Sequence, residues 1–413
     1  MKSKKYIFIV FLILFSSIIV ACTNVKKHTI DNPPNSSYGK NEEEDDEDII
    51  WNDEVLEIYS PVYNKTLDYA YELFKKENPG LSIKICWGDK DRSKFSKEQI
   101  LNETVVPDII VIDELDFTEN EKEKYFLPII NKECDYNVLE VAREIDEYTI
   151  AARVQIPLLY VKQREYAGNN LFSNKEYADE FSSMSTEQLI QMLYLYYGTG
   201  LFEENGNINT GHLEELIEFT KLVKNNSVNG ETNFDEEKMI SYFLREKFPV
   251  MFHVCKGLED IEMYLSAVKK MNGHAIFMEG VIPSCQLVIN KNSTMQDKCL
   301  EFFDCIFSEQ VQIIDCNDGF PVEKKVLEEW VNVYEKNDAT VFEDDQGNII
   351  NLESITKEEI SQLIKLLIEK DAIYYRNMDL LDTIIYETQK YIDGSKHIDD
   401  VLLSIQNEYA KLI

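Results

Sequence analysis

Basic residues are what this chain most lacks: 42 Lys and Arg stand against 76 Asp and Glu, a formal net charge of −34. A surface this acidic repels phosphate backbones, which excludes nucleic acid as a natural partner. CxxC spacing is missing as well. Of the eight cysteines, Cys22 stands in a leader. The others (Cys86, Cys134, Cys255, Cys285, Cys299, Cys305 and Cys316) are an odd number without ligand spacing, so neither a disulfide framework nor a zinc site follows. Cys299 and Cys305 lie among apolar neighbours and read as core thiols. No GxSxG, Walker loop or HExxH is present, so the residues carry no catalytic fingerprint, and no cofactor or metal is implied. No internal repeat is visible either.

What is there begins with an address. Lys2, Lys4 and Lys5 precede an apolar run from Tyr6 to Val20 that is too short to span a bilayer and ends in small residues, the pattern of a secretory signal. "IVAC" (Ile19 to Cys22) resembles the bacterial lipoprotein signal, which makes residues 1–21 a signal peptide and Cys22 the lipidated, palmitate-bearing N-terminus. Acyl chains contribute roughly 0.8 kcal/mol per buried methylene, so the expected location is the outer face of the cytoplasmic membrane, anchored and not spanning. Residues 22–53, with "DNPPNSS" and the acidic block Glu42 to Asp48, have the composition of a disordered, self-repelling tether. A solvated tether accounts for that block better than a cation site does.

The folded part is organised around Val55 to Asp113. "VLEIY" is a short apolar run closed by Ser60 and Pro61. Leu67, Ala70, Tyr71 and Phe74 then line one face of a 3.6-residue period, and Asn78, Pro79 and Gly80 stop the helix. "LSIKICW" alternates as a half-buried strand, and "DIIVID" reads as a central parallel strand covered on both faces. Strands joined through a helix imply right-handed crossovers, with a ligand crevice beyond the carboxyl ends of the strands, near Tyr59, Trp87, Asp113 and Glu114. Further on, Ile156 to Val161 reads as a buried strand. Ser185 with Gln188, and Thr356 with Glu359, make capping boxes for helices. "FPVMFHV" and Gln286 to Ile289 read as strands, while Thr294 to Phe307 and three stretches of the tail are helical in period. "DDQGN" (Asp344 to Asn348) fits a hairpin turn between "TVFE" and "IINL" better than a calcium loop.

This order of elements resembles the extracellular solute-binding proteins of family 1, the maltose-binding-protein-like receptors of ABC importers. The likeness rests on "EIYSPVYNKTLDYAYELFKKENPGLSIKI", "VPDIIVID", "REKFPVMFHVCKGLEDI", "LVINKNSTMQDKCLEFFDCIFSEQVQ" with "GFPV", and the closing "GSKHIDDVLLSIQNEY". It implies an α/β, two-lobe periplasmic-binding-protein-like fold of type II with a ligand cleft between the lobes. One lobe is expected at 54–153 plus 284–320, the other at 154–283 plus 321–413. It also implies a monomer that captures a small solute, by default a carbohydrate, and hands it to ABC permease subunits. The chain departs from the family pattern near the cleft. "ARVQIPLLYVKQ" keeps Pro157 and Tyr160 but not the expected asparagine, the "P.TW.E" segment is missing, and Pro249, Val250 and Met251 stand where "AAM" is expected.

Rings that stack on sugars and carboxylates that accept from hydroxyls single out Tyr59, Trp87, Asp113, Glu114, Tyr160, His253 and Phe320 as ligand-binding candidates, Trp87 foremost. Trp330 reads as a helix-packing residue. His253 and Cys255 share one strand face, yet two ligands are not a site, and the sequence identifies no acid to orient them. The departures leave a sensory or degenerate solute-binding-like lipoprotein as the alternative to transport. An extracytoplasmic hydrolase is the weaker rival, for want of a motif.

Overall fold

The computed structural model describes residues 55–88, 97–102, 107–113, 115, 117–129, 138–143, 145–162, 178–179, 181–182, 184–203, 207–226, 236–245, 250–278, 280–333, 340–344, 346–370, 373 and 378–412. The leader, Cys22, the tether, Trp51, Glu114 and Cys134 lie outside them.

Strand β1 (Leu56–Ser60) pairs in parallel with β2 (Ile83–Trp87) and with β3 (Ile109–Val111). All three residues of β3 are buried, as a strand covered on both faces requires. Between β1 and β2 runs the helix Lys65–Glu77. Asn64 caps it by accepting from the Leu67 N–H, and Leu67, Ala70 and Phe74 form its buried stripe. Phe74 meets Phe302 of the helix Gln296–Ile306 edge to face, with ring centroids 5.3 Å apart.

The strand β4 (Ile150–Val161) is twelve residues long and does two jobs. Ile150 to Gln155 pair antiparallel with β7 (Ile282–Ile289), whose other edge pairs with β3. Ile156 to Val161 pair instead with β5 (Val250–Cys255), and Leu158 to Val161 also pair with β6 (His274–Phe277). The two-residue strand β8 (Phe320–Pro321) joins β4 at Arg153 and Val154. The sheet order is therefore β2-β1-β3-β7-β4-β5, with β6 and β8 as side branches on β4. The strand expected at Gln286 to Ile289 in fact starts at Ile282, and the one expected at Ile156 starts at Ile150.

A second apolar cluster gathers four helices, Thr186–Tyr197, Thr210–Asn226, Met378–Ile392 and Ile398–Leu412, against Leu159, Val161 and Val250. Leu189, Leu193, Leu213, Ile217, Leu381 and Ile405 are all within a few per cent of full burial. Each such side chain contributes about 1.5–3 kcal/mol of apolar transfer. The capping boxes at Ser185/Gln188 and Thr356/Glu359 form as read, and Thr118 with Glu121 makes another. "DDQGN" turns the hairpin between β9 (Thr340–Glu343) and β10 (Ile349–Leu352). There Asp344 accepts from the Gln346 and Asn348 N–H groups and from Arg245. Among the described residues, no helix is long and apolar enough to cross a membrane.

Candidate functional site

The change of partner along β4 falls at Gln155 and Ile156. From one side come the carboxyl ends of β1 and β2. The Gly88 N–H donates to the Ser60 carbonyl at 2.8 Å, and a Cβ on Gly88 would meet Pro61 O at 2.8 Å and the Tyr59 hydroxyl at 2.9 Å. Glycine is what permits that approach. The Trp87 ring lies 5.0 Å from that of Tyr63, edge on, and the Tyr63 hydroxyl donates to Asp68. Beyond β3, both carboxylate oxygens of Asp113 are engaged at 2.7 Å by the N–H groups of Cys285 and Gln286. Cys285 takes φ of 54°, in the left-handed region, and this local twist of β7 aims both N–H groups at one carboxylate.

Below this lies Arg153, which is fully buried. Its Nε donates to Thr66 Oγ1 at 3.0 Å, its Nη1 to the Gln312 carbonyl at 3.0 Å, and its Nη2 to the carbonyls of Val311 (3.1 Å) and Ile314 (3.0 Å). The guanidinium thus closes the carbonyl end of the short helix Glu309–Gln312, where unpaired acceptors are expected. Asp318 sits in the same pocket, accepting from the Thr66 N–H at 2.7 Å, while its carbonyl takes hydrogen bonds from Gln155 Nε2 and Ser284 Oγ. Burial pushes the Asp318 carboxyl above its ordinary range and the Arg153 guanidinium below its own. Gly319, at φ of 145°, follows: a Cβ there would stand 2.8 Å from Arg153 Cβ and 2.9 Å from Val154 O.

From the other side comes the start of the helix Leu258–Lys270. Asp315 Oδ2 accepts from the Leu258 N–H at 3.0 Å, and Oδ1 lies where a side chain on Gly257 would go. His253 Nε2 is 2.9 Å from both oxygens of Asp260, and its ring stacks on Tyr264 at 3.9 Å.

The structure distributes the sequence candidates unevenly. Tyr59 and Phe320 are fully buried, Tyr59 in a cluster with Cys86 and Ile110, and Phe320 6.0 Å from Trp330. Trp330 itself is buried and donates Nε1–H to Ile313. Tyr160 and His253 are brought together, stacked on Tyr264 at 5.6 Å and 3.9 Å. Trp87, the foremost candidate, ends β2 with its ring buried in the main apolar core against Tyr63, where it is closed to a ligand, while Asp113 stands just beyond β3. Asp113 is the candidate that remains part-exposed, and Glu114 lies outside the described residues. Sequence reading missed Arg153, Asp260, Asp315 and Asp318. An arginine inside the apolar "AARVQIPLLYV" is the signal that would have found the first.

No protein-family model matches the chain, and no curated protein matches it. Solved structures do. MalE3 of T. maritima with maltose bound has a TM-score of 0.54 at 13% identity, covering 87% of this chain and 100% of that one. The maltose/maltodextrin-binding domain MalE of Bdellovibrio bacteriovorus, bound to maltotriose, has 0.53 at 12%, covering 86% and 99%. A Streptococcus pneumoniae solute-binding protein in complex with the blood group A-trisaccharide has 0.52 at 17%, again covering 86% and 99%. These likenesses establish the fold: a two-lobe α/β architecture of the periplasmic-binding-protein type II, with the cleft between its lobes.

Proposed function

We propose that this chain is an extracytoplasmic solute-binding lipoprotein of an ABC importer, anchored through Cys22, that captures a carbohydrate without chemistry and passes it to a membrane permease. The lobes are 54–153 plus 284–320 and 154–283 plus 321–413. The observation that carries the reading is β4, one strand serving two pairings, flanked by a polar crossing at Arg153, Ser284 and Asp318. Domain closure around a solute turns on a few backbone positions, and the change of partner along β4 is our candidate for them. Asp113, part-exposed beyond β3, supplies carboxylate acceptors for a solute's hydroxyls. The bound sugars of the three neighbours favour carbohydrate over other solutes.

The test is a thermal-shift series on the full chain with maltose, maltotriose and other mono- and oligosaccharides, then amino acids, peptides and polyamines. A true solute at 100 times its dissociation constant stabilises the native state by about 2.7 kcal/mol. Asp113→Ala should remove most of that shift. Silence across every class, with the chain folded, would overturn capture. It would then favour the sensory or degenerate reading that the altered "YN" and "P.TW.E" regions support.

A further inference from the structure

We infer that His253, Cys255 and Asp260 form a mononuclear site for a borderline divalent cation, with zinc as the natural occupant. The donor atoms of the three residues all lie within 4.8 Å of one another. They arrive by simple geometry. His253 and Cys255 are two apart on β5 and so share a face, and Asp260 closes over them from the first turn of the following helix. The sequence shows the first two and hides the third, because only the turn at Lys256 and Gly257 folds Asp260 back onto the strand.

An imidazole nitrogen, a thiolate and a carboxylate oxygen are the donors that zinc takes at tetrahedral sites, and the mixture of sulfur and nitrogen discriminates against magnesium and calcium. Charge closes as well. On binding, Cys255 gives up its thiol proton to solvent, and the Nε2 proton that His253 donates to Asp260 is displaced through solvent, leaving one proton on Nδ1 and the Nε2 lone pair for the ion. One thiolate and one carboxylate then neutralise one divalent ion. A neutral complex is the form that a buried place tolerates, since an uncompensated ion there is costly. His253 and Cys255 are both buried. Each donor is also already held. Tyr264 stacks on the His253 ring, the Tyr160 hydroxyl lies 3.2 Å from Cys255 Sγ, and the Lys256 N–H donates to Asp260 at 2.9 Å. Such outer contacts orient the ligands of a metal site. The fourth tetrahedral position falls to a water or another oxygen donor.

The full chain, stripped with chelator and kept in millimolar magnesium to occupy surface carboxylates, is titrated with zinc against a chromophoric competitor and, separately, with cobalt(II). One tight zinc per chain is expected, and the cobalt form should show thiolate-to-metal charge transfer with the intense visible bands of a tetrahedral ion. Cys255→Ser and Asp260→Asn should each weaken zinc at least 10-fold while circular dichroism stays native, and Cys255→Ser should abolish the charge-transfer band. Absence of that band in the wild-type chain overturns the assignment without any variant. So does zinc stoichiometry and affinity unchanged in folded Cys255→Ser, which would place the ion on surface acids. Solute binding is read independently by thermal shift, so failure here leaves the transport reading untouched.

Discussion

The two halves of β4 are buried, Gln155 only in part, and solve burial differently. Ile150 to Gln155 carries an arginine through the core, and its charge is met by one hydroxyl and three backbone carbonyls whose positions the chain fixes. Ile156 to Val161 carries aliphatic side chains and Tyr160, held by ring stacking and a single contact to a thiol. Directional bonds to a rigid frame specify one geometry, whereas apolar packing tolerates repacking. The first half is therefore the fixed side of the crossing, and the second is the side able to adapt.

The largest effect should come from breaking that asymmetry at its origin. Arg153→Met leaves the Val311, Gln312 and Ile314 carbonyls and the Thr66 hydroxyl without their donor, at a cost of at least about 3 kcal/mol, whereas Tyr160→Phe costs about 1 kcal/mol or less. Urea denaturation of both variants measures the gap, and equal losses would erase the contrast. Gly319→Ala comes next. It forces a side chain against Arg153 and Val154 at a φ that favours glycine, and should cost ~1–3 kcal/mol by the same measurement.

Asp318→Asn gives the smallest effect and the sharpest diagnosis. Because burial raises the folded carboxyl above its ordinary value of 3.8, the proton is bound more tightly in the native state. The stability this contributes is complete below the ordinary value and is lost as pH rises through the raised one. Wild type should therefore lose stability relative to the Asn variant as pH climbs from the ordinary carboxylate range. A flat difference between the two denaturation profiles would mean that the Thr66 hydrogen bonds and the Arg153 charge offset the effect of burial on Asp318.

Much of the fold was legible because hydrophobic period carries it. The helix Lys65–Glu77, the strands β1 to β3, the capping boxes and the Asp344 hairpin all follow from local pattern and local side-chain bonds. The start of β4 was not, since Arg153 interrupts the apolar run and its partners lie 87 to 161 residues away. The site was less legible for the same reason. Asp113 could be placed at a strand end, but its capture of two N–H groups depends on Cys285 adopting a positive φ, which no residue pattern announces. Asp260 was hidden by a tight turn, and the burial of Tyr59 and Phe320 is set by tertiary neighbours rather than by position in their strands.

The continuity of β4 also makes it a lever. Its six residues from Ile156 to Val161 extend about 20 Å from the point where the partners change, at about 3.3 Å per residue. A bend of about 10° at Gln155 would sweep the far end, with Val250 of β5 and His274 of β6 attached, through about 3.5 Å by the same strand geometry. That is the length of one hydrogen bond. The bond between the Leu258 N–H and Asp315 stands just past Cys255, opposite Ile156 at the pivot, so it holds nearly still while Val250 and His274 move.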